Sequence, residues 1–343
     1  MLLRKLHFAC TLNAALYFAI GITTIAFATP TFATQAVAEQ DAAEQEAAQT
    51  SENAQEETKS EKDVKSKKRK KNQDSAHFMR IRKDAKGRAV ALETSITRYE
   101  MTNEKGIRIT VDLIGAVHIG EEKYFATLNE RFKQYESMLY ELVAPEGTVI
   151  PKGGGRSDGI PTNPIAMMQK GMQSALGLEF QLEHIDYTKG NFVHADMTPA
   201  EFSQSMKKND ESVSKYMVRA IGQSMALQSA GRGDSSMDMV FAMFSSNKEL
   251  RMRRAFAKQI QDMEAGMVVF KGKDGSTIID HRNAKCMKIL EREIAAGKRN
   301  IAIFYGAGHL PDMQRRLIND FEMKRGGQVW LEAWSLTNRG KKK

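Results

Sequence analysis

A strand ending in a Gly-x-x-His turn, then a helix, then a strand with a glutamate, occurs twice in this chain. The first copy spans Ile107 to Val143. Ile107 to Ala116 is apolar and β-branched, the pattern of a largely buried strand. Gly115-Ala116-Val117-His118 closes it and delivers His118 to the strand's C-terminal end. The spacing predicts a helix over Glu121–Tyr135, with Tyr124, Phe125, Leu128 and Phe132 on one face. Met138 to Val143 reads as the second strand, with Glu141 inside an apolar run. A buried carboxylate is costly unless it is paired, hydrogen-bonded or bound to metal, so Glu141 needs a partner.

The second copy begins with the strand Asn300–Tyr305 and the turn Gly306-Ala307-Gly308-His309. A helix follows over Pro311–Met323, with Pro at an early position where it is tolerated. Gln328 to Trp334 is a strand carrying Glu332. His118 to Glu141 and His309 to Glu332 are each 23 residues apart. One Gly-x-x-His is ordinary turn chemistry. Two copies at equal separation predict two related β-α-β units. Crossover helices make paired strands parallel, and sites in such sheets collect at the strands' C-terminal ends. The expected class is α/β or α+β: a central sheet built around the two units, with a helical insertion between them.

That insertion spans residues 164–267 and is expected to cap the site. Asn191 to Asp196 reads as a short strand, and Thr198-Pro199-Ala200-Glu201 as a capping box. Ser212–Ala230, Met237–Phe244 and Glu249–Met267 have helical spacings. Met217, Met225, Met239 and Met243 either pack these helices together or form an adaptable apolar groove. The Gly/Pro stretch before the insertion lacks a Lys-Ser/Thr after its glycines and is not a P-loop. Asp280-His281-Arg282-Asn283 opens a helix to about Ala296. An arginine at a helix start opposes the dipole, which points to an anionic partner for Arg282; a surface Arg is the alternative.

Arg4-Lys5 precede an apolar run from Leu6 to Ala28, so residues 1–33 read as a secretory signal, with an uncleaved anchor as the competitor. Either way the rest is sent outward, making the protein periplasmic, secreted or membrane-anchored facing out. Residues 34–76 form a charged linker expected to be disordered, and the folded domain is 77–343. The net charge is +9. This favours an anionic envelope surface or an acidic substrate. No nucleic-acid signature is present, and no nucleic-acid partner is expected. With Cys10 in the apolar segment, only Cys286 remains, which excludes a disulfide framework within the domain.

The site expected from the residues is His118, Glu141 and His309, with Glu332 less central. Imidazoles and carboxylates suit Zn, Mn, Co or Fe, and a metal with an open position activates water and polarises a carbonyl. Glu121 or Glu122 is a general-base candidate beside His118; the alternative is that acids in a first helical turn serve the dipole. His194 and Asp196, at the end of the short strand, are further ligand candidates. The competing reading of both turn histidines is bonding to backbone.

Arg282-Asn283 followed by Tyr305-Gly306-Ala307-Gly308-His309-Leu310-Pro311, together with the order of elements from Ile107 to Trp334, resembles the TraB/GumN/TIKI-like group. The resemblance implies a divalent-metal-dependent hydrolase (Mn, Co or Zn). Animal TIKI members are described as metalloproteases acting on a secreted signal, and bacterial TraB relatives as pheromone-shutdown proteins. Carried over by position, His118, Glu141, Arg282 and His309 form the site. One departure is that the first strand Glu is commonly followed by Leu-Asp and then Arg, whereas here Leu142-Val143-Ala144-Pro145 follows.

Three functions stay open from the sequence. The first is an exported metallohydrolase, a peptidase, in which Arg282 holds the developing oxyanion or a substrate carboxylate. The second is a non-catalytic protein of the same fold that sequesters a peptide. The third is an envelope-tethered structural protein using its basic surface.

Overall fold

The computed structural model describes residues 77–153, 171–212, 214–216, 222, 245, 247–266 and 275–338. The expected signal segment, the linker, and Met217, Met225, Met239 and Met243 lie outside the described residues.

In chain order the elements are β1 (Met79–Lys83), β2 (Ala89–Thr102), β3 (Arg108–Ala116), β4 (Ile119–Gly120), α1 (Glu122–Phe132), β5 (Ser137–Tyr140), β6 (Glu179–Phe180), α2 (Gln181–His184), β7 (Phe192–His194), α3 (Pro199–Lys208), α4 (Lys248–Gly266), α5 (Arg282–Ala295), β8 (Asn300–Gly306), α6 (Leu310–Asn319) and β9 (Lys324–Ser335). A π-helical turn, Thr277–His281, leads into α5, and a 3-10 turn, Ala307–His309, leads into α6. Among the described residues, no helix is long and apolar enough to cross a membrane.

Seven strands form one mixed sheet with the path β1-β2-β3-β8-β5-β7, and β9 joins it along β2. The β2–β3 hairpin turns where the sequence places Lys105-Gly106. Asn103 Oδ1 accepts from the backbone of Lys105 and Ile107, and Gly106 supplies the left-handed φ of 74°. From β3 onward the sheet is parallel. Gly115 of β3 lies beside Tyr305 of β8, Tyr140 of β5 beside Phe304 of β8, and His194 of β7 beside Tyr140. Four C-terminal strand ends therefore meet on one side.

The first predicted unit is present as β3-α1-β5, with β8 lying between its two strands. Its helix buries the expected Tyr124, Phe125, Leu128 and Phe132. The strand after it stops at Tyr140, so Glu141 is the first residue beyond the strand rather than inside it.

The second unit differs from expectation. Its strand β9 does not pair with β8. It pairs antiparallel with β2, on the edge opposite β1 and β3. Equal spacing between turn and strand sets only how far a helix can carry the chain back. It does not set which strand edge the chain meets. β9 also braces the first turn: the Trp334 indole donates to the Ile119 carbonyl at 2.6 Å, and Ser335 N–H donates to Glu121 Oε1 at 2.9 Å.

The insertion is helical in much of its described part, and the capping box at Thr198 and Glu201 of α3 forms as predicted. Arg253 of α4 fastens this helix to the domain. It donates to the carbonyls of Leu176 and Gly177 at 2.5 and 2.7 Å and to Glu121 at 3.2 Å.

Candidate active site

His118 follows β3, Glu141 follows β5, Asp196 follows β7 and His309 follows β8, so four neighbouring parallel strands each contribute one polar residue. Arg282 comes from the first turn of α5, beneath the same strand ends. Glu141, Asp196, Arg282 and His309 are at most 6% exposed, and His118 is partly exposed.

Arg282 ties the cluster together. Its Nε and Nη2 donate to the two oxygens of Asp196 at 2.9 and 2.5 Å, and Nη2 also donates to Glu141 Oε1 at 2.7 Å. The anionic partners that its place at a helix start called for are thus residues of this chain. At 1% exposed and shared between two carboxylates, it holds Glu141 in place. Burial pulls the guanidinium's pKa down, but Asp196 and Glu141 outweigh it and raise the value.

Glu141 Oε2 accepts the Gly306 N–H at 2.7 Å. Burial pushes its carboxyl up, yet Arg282 foremost, with the Gly306 amide adding to it, holds it well below the usual range. Gly306 has an ordinary φ of −48°, so it is not needed for backbone freedom. It is needed for space: a Cβ there would lie 3.3 Å from Glu141 Oε2, 3.7 Å from His118 Nε2 and 3.8 Å from His309 Cδ2. Gly306→Ala should leave the fold intact and, on the metal-binding function proposed below, lower cation affinity at least about tenfold, the size expected when groups around a metal site are displaced. Calorimetric titration beside a thermal melt checks both parts.

Both imidazoles are neutral at neutral pH. Burial is the first cause, with Arg282 adding to it, and it outweighs the pull of Glu141; His309 falls to about 4. The tautomer of His309 follows from its neighbours. Asn283 Nδ2 donates to the His309 carbonyl at 3.1 Å and to Asp312 Oδ2 at 3.0 Å. Both partners only accept, which fixes the amide's orientation. Asn283 Oδ1 then faces His309 Nδ1 at 2.7 Å, so Nδ1 must carry the hydrogen. Nε2 is left with a lone pair, 3.5 Å from Glu141 Oε1.

The other expected residues are placed as follows. Asp196 belongs to the cluster. His194 does not: its Nε2 donates to the Leu142 carbonyl at 2.6 Å. Glu121 accepts from Ser335 and Arg253 and braces the first turn. Glu122 is exposed on α1. Glu332 lies on β9 against Arg82 at 2.8 Å, beside Glu93 across the β2–β9 pair. Its carboxylate is engaged by Arg82 of β1. Cys286 is buried in α5 and burial pushes its thiol up, in keeping with a helix core residue.

Sequence reasoning passed over Gln181 and gave Asn283 no role. Gln181 sits beside the first turn: its N–H donates to the His118 carbonyl at 2.9 Å, and its side chain favours the protonated form of the His118 ring. No local pattern marks it. Asn283 was legible only as the neighbour of Arg282.

The donor set can be tested for a divalent ion. Two neutral imidazoles and an ionised carboxylate are suitable chemistry. A tetrahedral ion with bonds of about 2.1 Å sets ligand atoms roughly 3.4 Å apart, which the 3.5 Å between His309 Nε2 and Glu141 Oε1 matches. His118 converges on the same glycine but stands farther off. Among the described residues, only Glu179, Glu183 and His184 bring three ligand atoms all within 4.8 Å of one another. That second group lies on β6 and α2, where Glu179 also accepts from Gln173 at 2.8 Å.

No family model, curated protein or solved structure matches this chain.

Proposed function

We propose that this chain is a divalent-metal-dependent hydrolase, exported and acting on peptides, with its site at the His118–Glu141–Arg282–His309 cluster. The observation that carries the reading is the 3.5 Å approach of the His309 Nε2 lone pair to an ionised carboxylate oxygen. Neither atom has a hydrogen to offer the other, and a cation between them turns repulsion into coordination. Charge supports it too: one guanidinium faces two carboxylates while both histidines are neutral, leaving the cluster about one charge negative. Peptide as the substrate class rests on the family resemblance, and export on the N-terminal segment.

His309 and Glu141 would hold the ion, with His118 closing on it. When bound, such an ion polarises a carbonyl oxygen and lowers the pKa of a water. Arg282 and the Gly306 amide hold Glu141 ionised and fixed in direction. His118, partly exposed and with its pKa lowered by burial, keeps its ring lone pair available to the ion.

The test is titration of Mn, Co and Zn into the full-length chain and into folded His118→Ala, His309→Ala and Glu183→Gln variants. One site per chain, weakened about tenfold or more by His309→Ala and also by His118→Ala, is the expected result. Binding that ignores both histidines and disappears with Glu183→Gln would assign the ion to the other donor group and end this reading. Stoichiometric peptide binding without product would return the sequestering function in place of the hydrolase.

A further inference from the structure

We infer that Asn283 is a positioning residue that holds His309 in the Nδ1–H tautomer, so that Nε2 faces Glu141. The side chain is fully buried and makes three polar contacts in three directions. Its amide hydrogens go to the His309 carbonyl and to Asp312 Oδ2, and its oxygen takes the hydrogen of His309 Nδ1. One amide thereby grips both the backbone and the ring of the same histidine. An imidazole in water favours the opposite tautomer, so the arrangement has to be imposed.

Asp312 in turn fixes the amide. It sits in the first turn of α6 and accepts from Arg316 Nε at 2.6 Å and from Arg315. Arg316 also donates to the Asp280 carbonyl, in the π-helical turn before α5, at 3.1 Å. Held by two arginines, the Asp312 carboxylate has no hydrogen to offer Asn283, and the amide cannot turn over without setting its oxygen against a carboxylate and a carbonyl. Donation thus runs from His309 to Asn283 to Asp312, and Arg316 meets it at the Asp312 carboxylate, linking α6 to the cluster. A ring-nitrogen hydrogen bond that sets the ligating nitrogen is the usual way a protein orients an imidazole toward a metal. The tautomer stands on the hydrogen bonds alone; its consequence for cation binding rests on the function proposed above.

Long-range proton–nitrogen NMR of the imidazoles reads the tautomer directly. The sample is the full-length chain at neutral pH with chelator, and the His309 signal is the one lost in His309→Gln. Wild type should show hydrogen on Nδ1. Asn283→Ala should move it to Nε2 and lower Mn or Co affinity by about 10- to 100-fold. Hydrogen on Nε2 in wild type overturns the inference without any variant having to fold. So does an Asn283→Ala protein that keeps Nδ1–H. A correct tautomer in a chain that binds no cation would leave Asn283's role standing and remove the metal reading alone.

Discussion

Arg282→Met is expected to cost about 3–5 kcal/mol of folding stability, the usual result of removing one partner of a buried ion pair. The cause is the two carboxylates left behind. Glu141 and Asp196 are 5% and 2% exposed, and both direct oxygens at the lost guanidinium. Methionine fills the volume but offers neither charge nor donors. The damage should therefore shrink at acid pH, where protonation relieves the stranded charge. Arg282→Lys should fall between, since one ammonium cannot reproduce the Nε and Nη2 fork on Asp196. Urea unfolding of the three proteins at pH 7 and pH 5 measures this. A loss below about 1 kcal/mol, the range of an exposed ion pair, would show that the cluster is open to water.

The second large effect is acid sensitivity. His309 has a depressed pKa, about 4 against an ordinary 6.5. Between those values the unfolded chain takes up a proton that the folded chain refuses, so stability falls as the pH falls. Across that window the loss from His309 alone is about 3 kcal/mol. His118, also lowered, acts in the same direction. Glu141 adds a further step at lower pH: its folded carboxyl is depressed below 4.5, so its contribution is present above that value and lost beneath it. Chemical denaturation at pH 7, 6, 5 and 4 should show the free energy dropping chiefly below pH 6.5. In His309→Gln the slope between pH 6.5 and 4 should flatten markedly. An unchanged slope in that variant would place the acid step elsewhere.

The local features were legible, and the long-range ones were not. β3 and β8 declare themselves by β-branched apolar runs, and both glycine turns deliver their histidines where a parallel sheet gathers its sites. Glu141's need for a partner was readable from burial, and Arg282's need for an anion from its place at a helix start. That each satisfies the other was not, because α5 and β5 are far apart in sequence. Asp196 looked peripheral for the same reason: its value comes from Arg282. The repeat misled about β9, because a 23-residue separation is a property of one chain segment, while pairing depends on which edge is vacant. Asn283 carries no local signature of its role, which appears only once His309 and Asp312 surround it.

The β2–β9 pairing has a consequence for how the protein comes into being. Arg82 and Glu332, joined across this part of the sheet, are 250 residues apart in the chain. Contacts of that span carry a large closure entropy and form slowly. Among the described strands β9 comes last in chain order, so one edge of β2 stays bare until β9 is made. Trp334 and Ser335 then secure the turn that holds His118, so the first polar turn to be made is among the last to be locked.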